Sequence, residues 1–100
     1  MARKRRHGPL AEWEEAMIGA YYDDRCHGVL DPLYAKFCEW HEGLVSHADL
    51  DAAIHFVHRE MQKVYGEFTR PRGVLARDIV ADQAWYQRWL AEHPVPEDEE

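Results

Sequence analysis

Apolar residues recur at helical spacing along most of the chain. The clearest run is separated by steps of four and three and contains Leu50, Ile54, Val57, Met61, Val64 and Phe68. These steps match the 3.6-residue period of an α-helix, so the pattern predicts an amphipathic helix that buries one side against other helices. Ser46 precedes the run and can cap the free amide of Asp49, and the segment from Thr69 to Gly73 ends the pattern.

Two shorter helices are predicted before this one. The first begins at Pro9 or Leu10 and ends at His27, with Gly28 as its stop signal. The second begins at Asp31-Pro32, an N-cap residue followed by proline at the first helical position, and ends near Gly43 or Leu44. The connection to the third helix at Val45-Ser46 is short, which predicts that the second and third helices form an antiparallel hairpin.

The last helical segment has its apolar side at Leu75, Ile79, Tyr86 and Leu90, and Pro94 ends it. It forms either one helix or two, because Asp82 can cap a separate helix that begins near Gln83. Together these patterns predict an all-α fold. We expect a small helical bundle of four to five helices with the antiparallel hairpin at its centre.

The expected domain organisation is one helical domain between two charged tails. Residues 1–8 are expected to form a basic disordered arm, residues 9–93 the single helical domain, and residues 94–100 an acidic disordered tail. The chain has 100 residues, of which 46% are apolar, including four Trp, so it contains enough apolar material for one core.

Charge argues against nucleic acid as the main partner. The net charge is −7, and residues 7–96 carry eight basic and fifteen acidic side chains, so this part repels phosphate. The basic residues of the arm are Arg3, Lys4, Arg5 and Arg6. Contact with nucleic acid through this arm is a third hypothesis, and it predicts weak binding that depends strongly on salt.

The two cysteines and the hydropathy pattern indicate a cytoplasmic protein. No segment has the length that a signal peptide or a membrane span requires. Cys26 and Cys38 are both expected to be reduced and to act as small buried apolar residues. The sequence gives no reason to expect a cofactor.

Several polar residues fall on or near apolar helix faces and raise a binding hypothesis. Asp24 and His27 can form an ion pair at the end of the first helix, and packing of successive helices brings them near Glu60. His41 falls on the apolar side of the second helix and is expected in the core, whereas His58 lies at the boundary of the third. The alternative hypothesis is therefore a metal or small-ligand site that uses Asp24, His27 and Glu60, with His41 or His58 as further ligands.

The aromatic content supports the preferred hypothesis for the function, which is a protein-interaction or regulatory module. Four Trp and five Tyr exceed what a small core can hide, so Tyr22, Trp85 and Trp89 are proposed as interface residues on the first and last helices. The chain has no phosphate-binding loop, nucleophile elbow or zinc-protease motif, and we therefore expect no catalysis. The expected partner is a second copy, giving a homo-oligomer, or another protein.

Overall fold

The structure, a computed structural model, describes residues 8–97. Within this range the chain forms four helices and no strand: α1 (Pro9–His41), α2 (His47–Glu67), α3 (Arg72–Ala81) and α4 (Gln83–Glu92). The all-α prediction is therefore confirmed for these residues. The basic residues Arg3 to Arg6 and the last three residues of the acidic tail lie outside the described range.

The first two predicted helices are one helix, so the predicted stop at Gly28 and restart at Asp31-Pro32 are wrong. Helix α1 runs for 33 residues through both Gly28 and Pro32. An interior glycine costs about 1 kcal/mol and an interior proline about 3 kcal/mol relative to alanine. These are local preferences, and the contacts made by a helix of this length can outweigh them.

The end of α1 is set by a glycine further along the chain. Gly43 has φ +79°, a left-handed conformation that favours glycine. Its amide donates to the carbonyl of Trp40 at 3.0 Å, and the amide of Leu44 donates to the carbonyl of Glu39 at 2.8 Å. These two hydrogen bonds form a Schellman motif, which satisfies carbonyls at the end of the helix.

Helix α2 forms as its sequence pattern predicts. The Ser46 side chain accepts a hydrogen bond from the Asp49 amide at 3.0 Å, and the Asp49 carboxylate accepts one from the Ser46 amide at 3.3 Å. This reciprocal pair is a capping box. On the predicted apolar side Leu50, Val57 and Val64 are buried and Met61 and Phe68 are half-buried, but the expected burial of Ile54 is wrong, because it is 39% exposed.

The last segment consists of two helices, the second of the two arrangements that the sequence allows. Asp82 separates α3 from α4, and its carboxylate accepts a hydrogen bond from the Trp85 amide at 3.4 Å. The four helices of the structure are therefore not the four predicted ones, because two predicted helices merge and the last divides.

Contacts between residues divide the chain into two compact units, to both of which α1 contributes. The first unit comprises residues 8–21 and 71–97 of the described chain. Tyr21 meets the ring of Trp85 edge to face at 4.8 Å, and the indole of Trp13 donates to the His93 carbonyl at 2.7 Å. Its buried residues are Met17, Ile18, Leu75, Ala76, Ile79 and Trp85.

The second unit, residues 22–70, contains the second half of α1 and all of α2. Its buried residues are Leu50, Val57 and Val64, which all belong to α2. No residue of α1 between Tyr22 and His41 is buried. The second half of α1 therefore leaves apolar side chains at the surface.

In residues 8–97 we find no helix with the length and apolar composition to cross a membrane.

Candidate interaction surface

One side of α1 carries a row of exposed residues that we call the outer face. It consists of five side chains spaced three or four residues apart: His27, Leu30, Tyr34, Phe37 and His41. At 3.6 residues per turn these five positions lie within about 80° of the helix circumference. Tyr34 is 72% exposed, and Leu30 and Phe37 are each 41% exposed. The outer face therefore presents a continuous apolar centre to solvent.

Exposure of large apolar side chains is concentrated in the second unit. Within residues 8–97, Val95 is the only such side chain of the first unit. Those of the second unit are Tyr22, Leu30, Tyr34, Phe37, Leu44, Ile54, Phe56 and Tyr65. Single exposed apolar residues are ordinary, but a contiguous group of them is typical of a binding surface.

The first end of the outer face is a charged cluster around His27. The His27 ring lies 3.1 Å from a carboxylate oxygen of Asp31 and 4.0 Å from one of Asp23. The hydrogen bond to Asp31, and then the negative charges of Asp31 and Asp23, raise the pKa of His27 above its usual value. Asp24 adds a smaller effect in the same direction.

The predicted ion pair between Asp24 and His27 is replaced by these pairs. Because α1 continues past Gly28, His27 has a carboxylate four residues before it and another four residues after it. Side chains four residues apart are neighbours on a helix, so Asp23 and Asp31 both reach the imidazole.

A groove of about 250 Å³ lies between α1 and α2 within the second unit. Its lining is mostly apolar and consists of Gly28, Val29, Pro32, Leu33, Lys36, Ala53, Phe56, Val57 and Glu60. Lys36 pairs with Glu39 at 3.3 Å, and Glu60 pairs with Lys63 at 3.0 Å. The centre of the groove lining on α1 is about 140° around the helix from the outer face. The groove and the outer face are therefore different surfaces.

The residues of the metal hypothesis are not brought together. Asp24, His27, His41 and His58 are exposed, and Glu60 is half-buried beside the groove. Among residues 8–97, no three His, Cys, Asp or Glu side chains are grouped closely enough to hold a metal ion.

His41 is exposed, and the expected core position is wrong. Its neighbour Trp40 is half-buried and donates its indole N–H to Nδ1 of His47 at 2.9 Å. Consecutive residues of a helix point about 100° apart. Because Trp40 points towards His47, the side chain of His41 points to solvent.

Of the two predicted interface residues on the last helix, Trp85 belongs to the core of the first unit and Trp89 packs beside it. Trp85 is only 7% exposed, so its assignment to an interface is wrong. Trp89 is half-buried, with ring centroids 5.9 Å from Trp85 and 4.4 Å from His93. The reason is the helix break at Asp82: on one uninterrupted helix Trp85 would lie about 120° from Ile79 and away from the apolar side, but α3 and α4 are separate helices.

Tyr22, the third predicted interface residue, is 39% exposed. Its ring meets Phe68 edge to face at 5.0 Å. A hydrogen bond with Cys26 raises the pKa of the Tyr22 hydroxyl. Cys26 is half-buried and Cys38 is exposed, so the expectation of a buried thiol is wrong for Cys38.

The exposure of Tyr34 and Phe37, the central residues of the outer face, was not predicted from the sequence. Division of the chain at Gly28 and Asp31-Pro32 predicts a separate second helix whose apolar, buried side includes Tyr34 and Phe37 together with His41. Reading α1 as one helix places them in line with His27 and His41, and this alignment is the signal that could have found the face.

The outer face is suited to contact with a protein surface, because a row of large apolar side chains is bordered by imidazoles and carboxylates. Comparison of the chain with protein-family models, with curated proteins and with solved structures found no match in any of the three.

Proposed function

We propose that the protein is a small non-catalytic interaction module that binds a protein surface, its own copy or another protein, through the outer face. One observation carries the proposal. Tyr34, with Leu30 and Phe37 on either side of it, remains exposed on a helix segment that buries no residue from Tyr22 to His41. Exposed apolar area of this kind is stabilised when a partner covers it.

The proposal includes an antiparallel pairing of α2 with the second half of α1. Three contacts support this direction, because residues early in this half of α1 meet the end of α2. Tyr22 packs on Phe68, Arg25 bonds to Glu67, and Trp40 bonds to His47. The single connection of residues 42–46 is also short enough for antiparallel neighbours.

In this pairing the apolar surface of the outer face is continued by exposed apolar residues of α2. Ile54 and Tyr65 are exposed and lie within about 20° of each other on α2, about 120° from the centre of its groove lining. The outer face is similarly displaced from the groove on α1. The two apolar rows therefore share the side of the helix pair that is opposite the groove.

The size of this surface fits a protein interface. Leu30, Tyr34, Phe37, Ile54 and Tyr65 expose between 39% and 72% of their area. Taking roughly 200 Å² for a large side chain gives about 500 Å² of exposed apolar surface. A standard interface buries roughly 800 Å² on each partner, of which about 60% is apolar. The apolar part of such an interface is therefore already present.

The test compares two charge substitutions on the same helix. Tyr34→Glu places a carboxylate in the centre of the outer face, whereas Ala35→Glu adds the same charge at an exposed position about 100° away. Sedimentation velocity measures self-association of each protein, and affinity capture with mass spectrometry measures binding of other proteins.

We expect an association of the wild-type protein that Ala35→Glu keeps and Tyr34→Glu loses, while circular dichroism shows unchanged helix content in both. The proposal is wrong if all three proteins associate equally, or if none associates with itself or with a captured protein.

A further inference from the structure

The order of side chains along the outer face is nearly the same in both directions from Tyr34. His27 and His41 each lie seven residues from Tyr34, with Leu30 four residues before it and Phe37 three residues after it. A face with this order can pack against its own copy in reverse direction while apolar residues still meet apolar residues. Parallel pairing satisfies the same condition, so the direction must be decided by other features.

We infer that the partner at the outer face is a second copy of this chain, with the two α1 helices antiparallel and crossing at Tyr34. This inference rests on the proposed function and specifies its partner. In this arrangement Leu30 of each copy lies opposite Phe37 of the other, and the two Tyr34 rings meet at the two-fold axis. The contact is closed and ends at a dimer, because both copies use the same surface.

Charge on α1 favours the antiparallel direction. Two carboxylates, Asp23 and Asp31, lie before Tyr34 and within about 80° of the centre of the outer face, whereas the one carboxylate of α1 after Tyr34, Glu39, lies about 160° from that centre. Parallel pairing in register would place each of these carboxylates beside its own copy, and like charges in an interface are unfavourable. Antiparallel pairing moves them towards the half of the partner helix that carries His41 on the same face.

One further feature of α1 suits this contact. The residues that weaken the helix, Gly28 and Pro32, line the groove and therefore lie on the side away from the outer face. The proline ring does not interrupt the apolar row.

The test is disulfide trapping in the full chain, after Cys26→Ser and Cys38→Ser have removed the native thiols. Leu30→Cys and Phe37→Cys are prepared as separate proteins and oxidised gently, each alone and as an equal mixture. A disulfide requires Cβ atoms about 4 Å apart, so we expect on the order of ten times more covalent dimer in the mixture than in either protein alone. Sedimentation of the cysteine-free chain is the control for intact self-association.

The alternative outcomes separate this inference from the proposed function. Strong cross-linking of each variant alone would show parallel packing and overturn the antiparallel dimer. A cysteine-free chain that self-associates without any of these disulfides would also overturn it, while the interaction function stands. A monomeric chain that still captures another protein through Tyr34 would replace the second copy by that partner.

Discussion

Nη2 of Arg25 lies 2.7 and 2.8 Å from the two carboxylate oxygens of Glu67. This ion pair joins α1 to the end of α2 within the second unit. The side chains are 36% and 41% exposed, so water screens the interaction. The pair is a marker of the register of the two helices, because a shift of either helix by one residue would separate these groups.

A double-mutant cycle measures the contribution of this ion pair. We expect Arg25→Gln and Glu67→Gln to show a coupling free energy of about 0.5 kcal/mol, the size typical of a partly exposed pair. Urea unfolding of the four proteins at low salt gives the value, and added salt should reduce it. Additive effects of the two substitutions would mean that the pair does not form in solution.

Two glycine substitutions test the continuity of α1. Gly28 lies inside the helix, and an added Cβ would have no atom within 4 Å, so Gly28→Ala should stabilise the protein by about 1 kcal/mol. Gly43→Ala is the matched control and should destabilise by about 1 kcal/mol, because alanine disfavours φ +79°. Urea unfolding measures both. Destabilisation by Gly28→Ala would indicate that the helix ends near Gly28.

The His27 cluster predicts a small pH dependence of stability. Contact with Asp31 and Asp23 raises the pKa of His27 in the folded chain. The protonated ring therefore stabilises the fold fully below the unfolded pKa of about 6.5, and this contribution is lost as pH rises through the higher folded pKa. A pH series of urea unfolding curves should show this loss for the wild type but not for His27→Gln. Equal pH profiles for the two proteins would contradict the assignment.

Trp85 should contribute to stability and not to association. Its ring is buried between Tyr21 and Trp89, so Trp85→Ala should cost about 3–5 kcal/mol, as other large-to-small core substitutions do. Tyr34→Ala is the contrasting substitution at an exposed aromatic residue and should change stability by less than about 0.5 kcal/mol in dilute solution. Thermal and urea unfolding measure both values. A similar loss from the two substitutions would mean that the outer face is part of the fold.

Helix α2 could be predicted from sequence because its signals are local and consistent. The apolar residues recur at helical spacing, and the hydroxyl of Ser46 reaches the Asp49 amide only three residues away. Both signals act within a few turns of the chain, so no knowledge of neighbouring helices was needed.

Helix α1 and the outer face could not be predicted in the same way. Gly28 and Pro32 are helix-ending signals in isolation, but each is worth only a few kcal/mol, and the surrounding structure decides the outcome. Dividing α1 at these residues assigned Tyr34 to a core that does not cover it. Similarly, the position of Trp85 depends on the break at Asp82, which the sequence allowed but did not require.

A native mass spectrum of the full chain over a concentration series tests the central claim most directly, because it reports both the number of subunits and any retained ion or ligand. We predict a monomer at low concentration and a dimer without added mass at high concentration, with no larger species. A monomer at every concentration would contradict self-association through the outer face. A stoichiometric added mass on the chain would instead support the ligand-binding alternative.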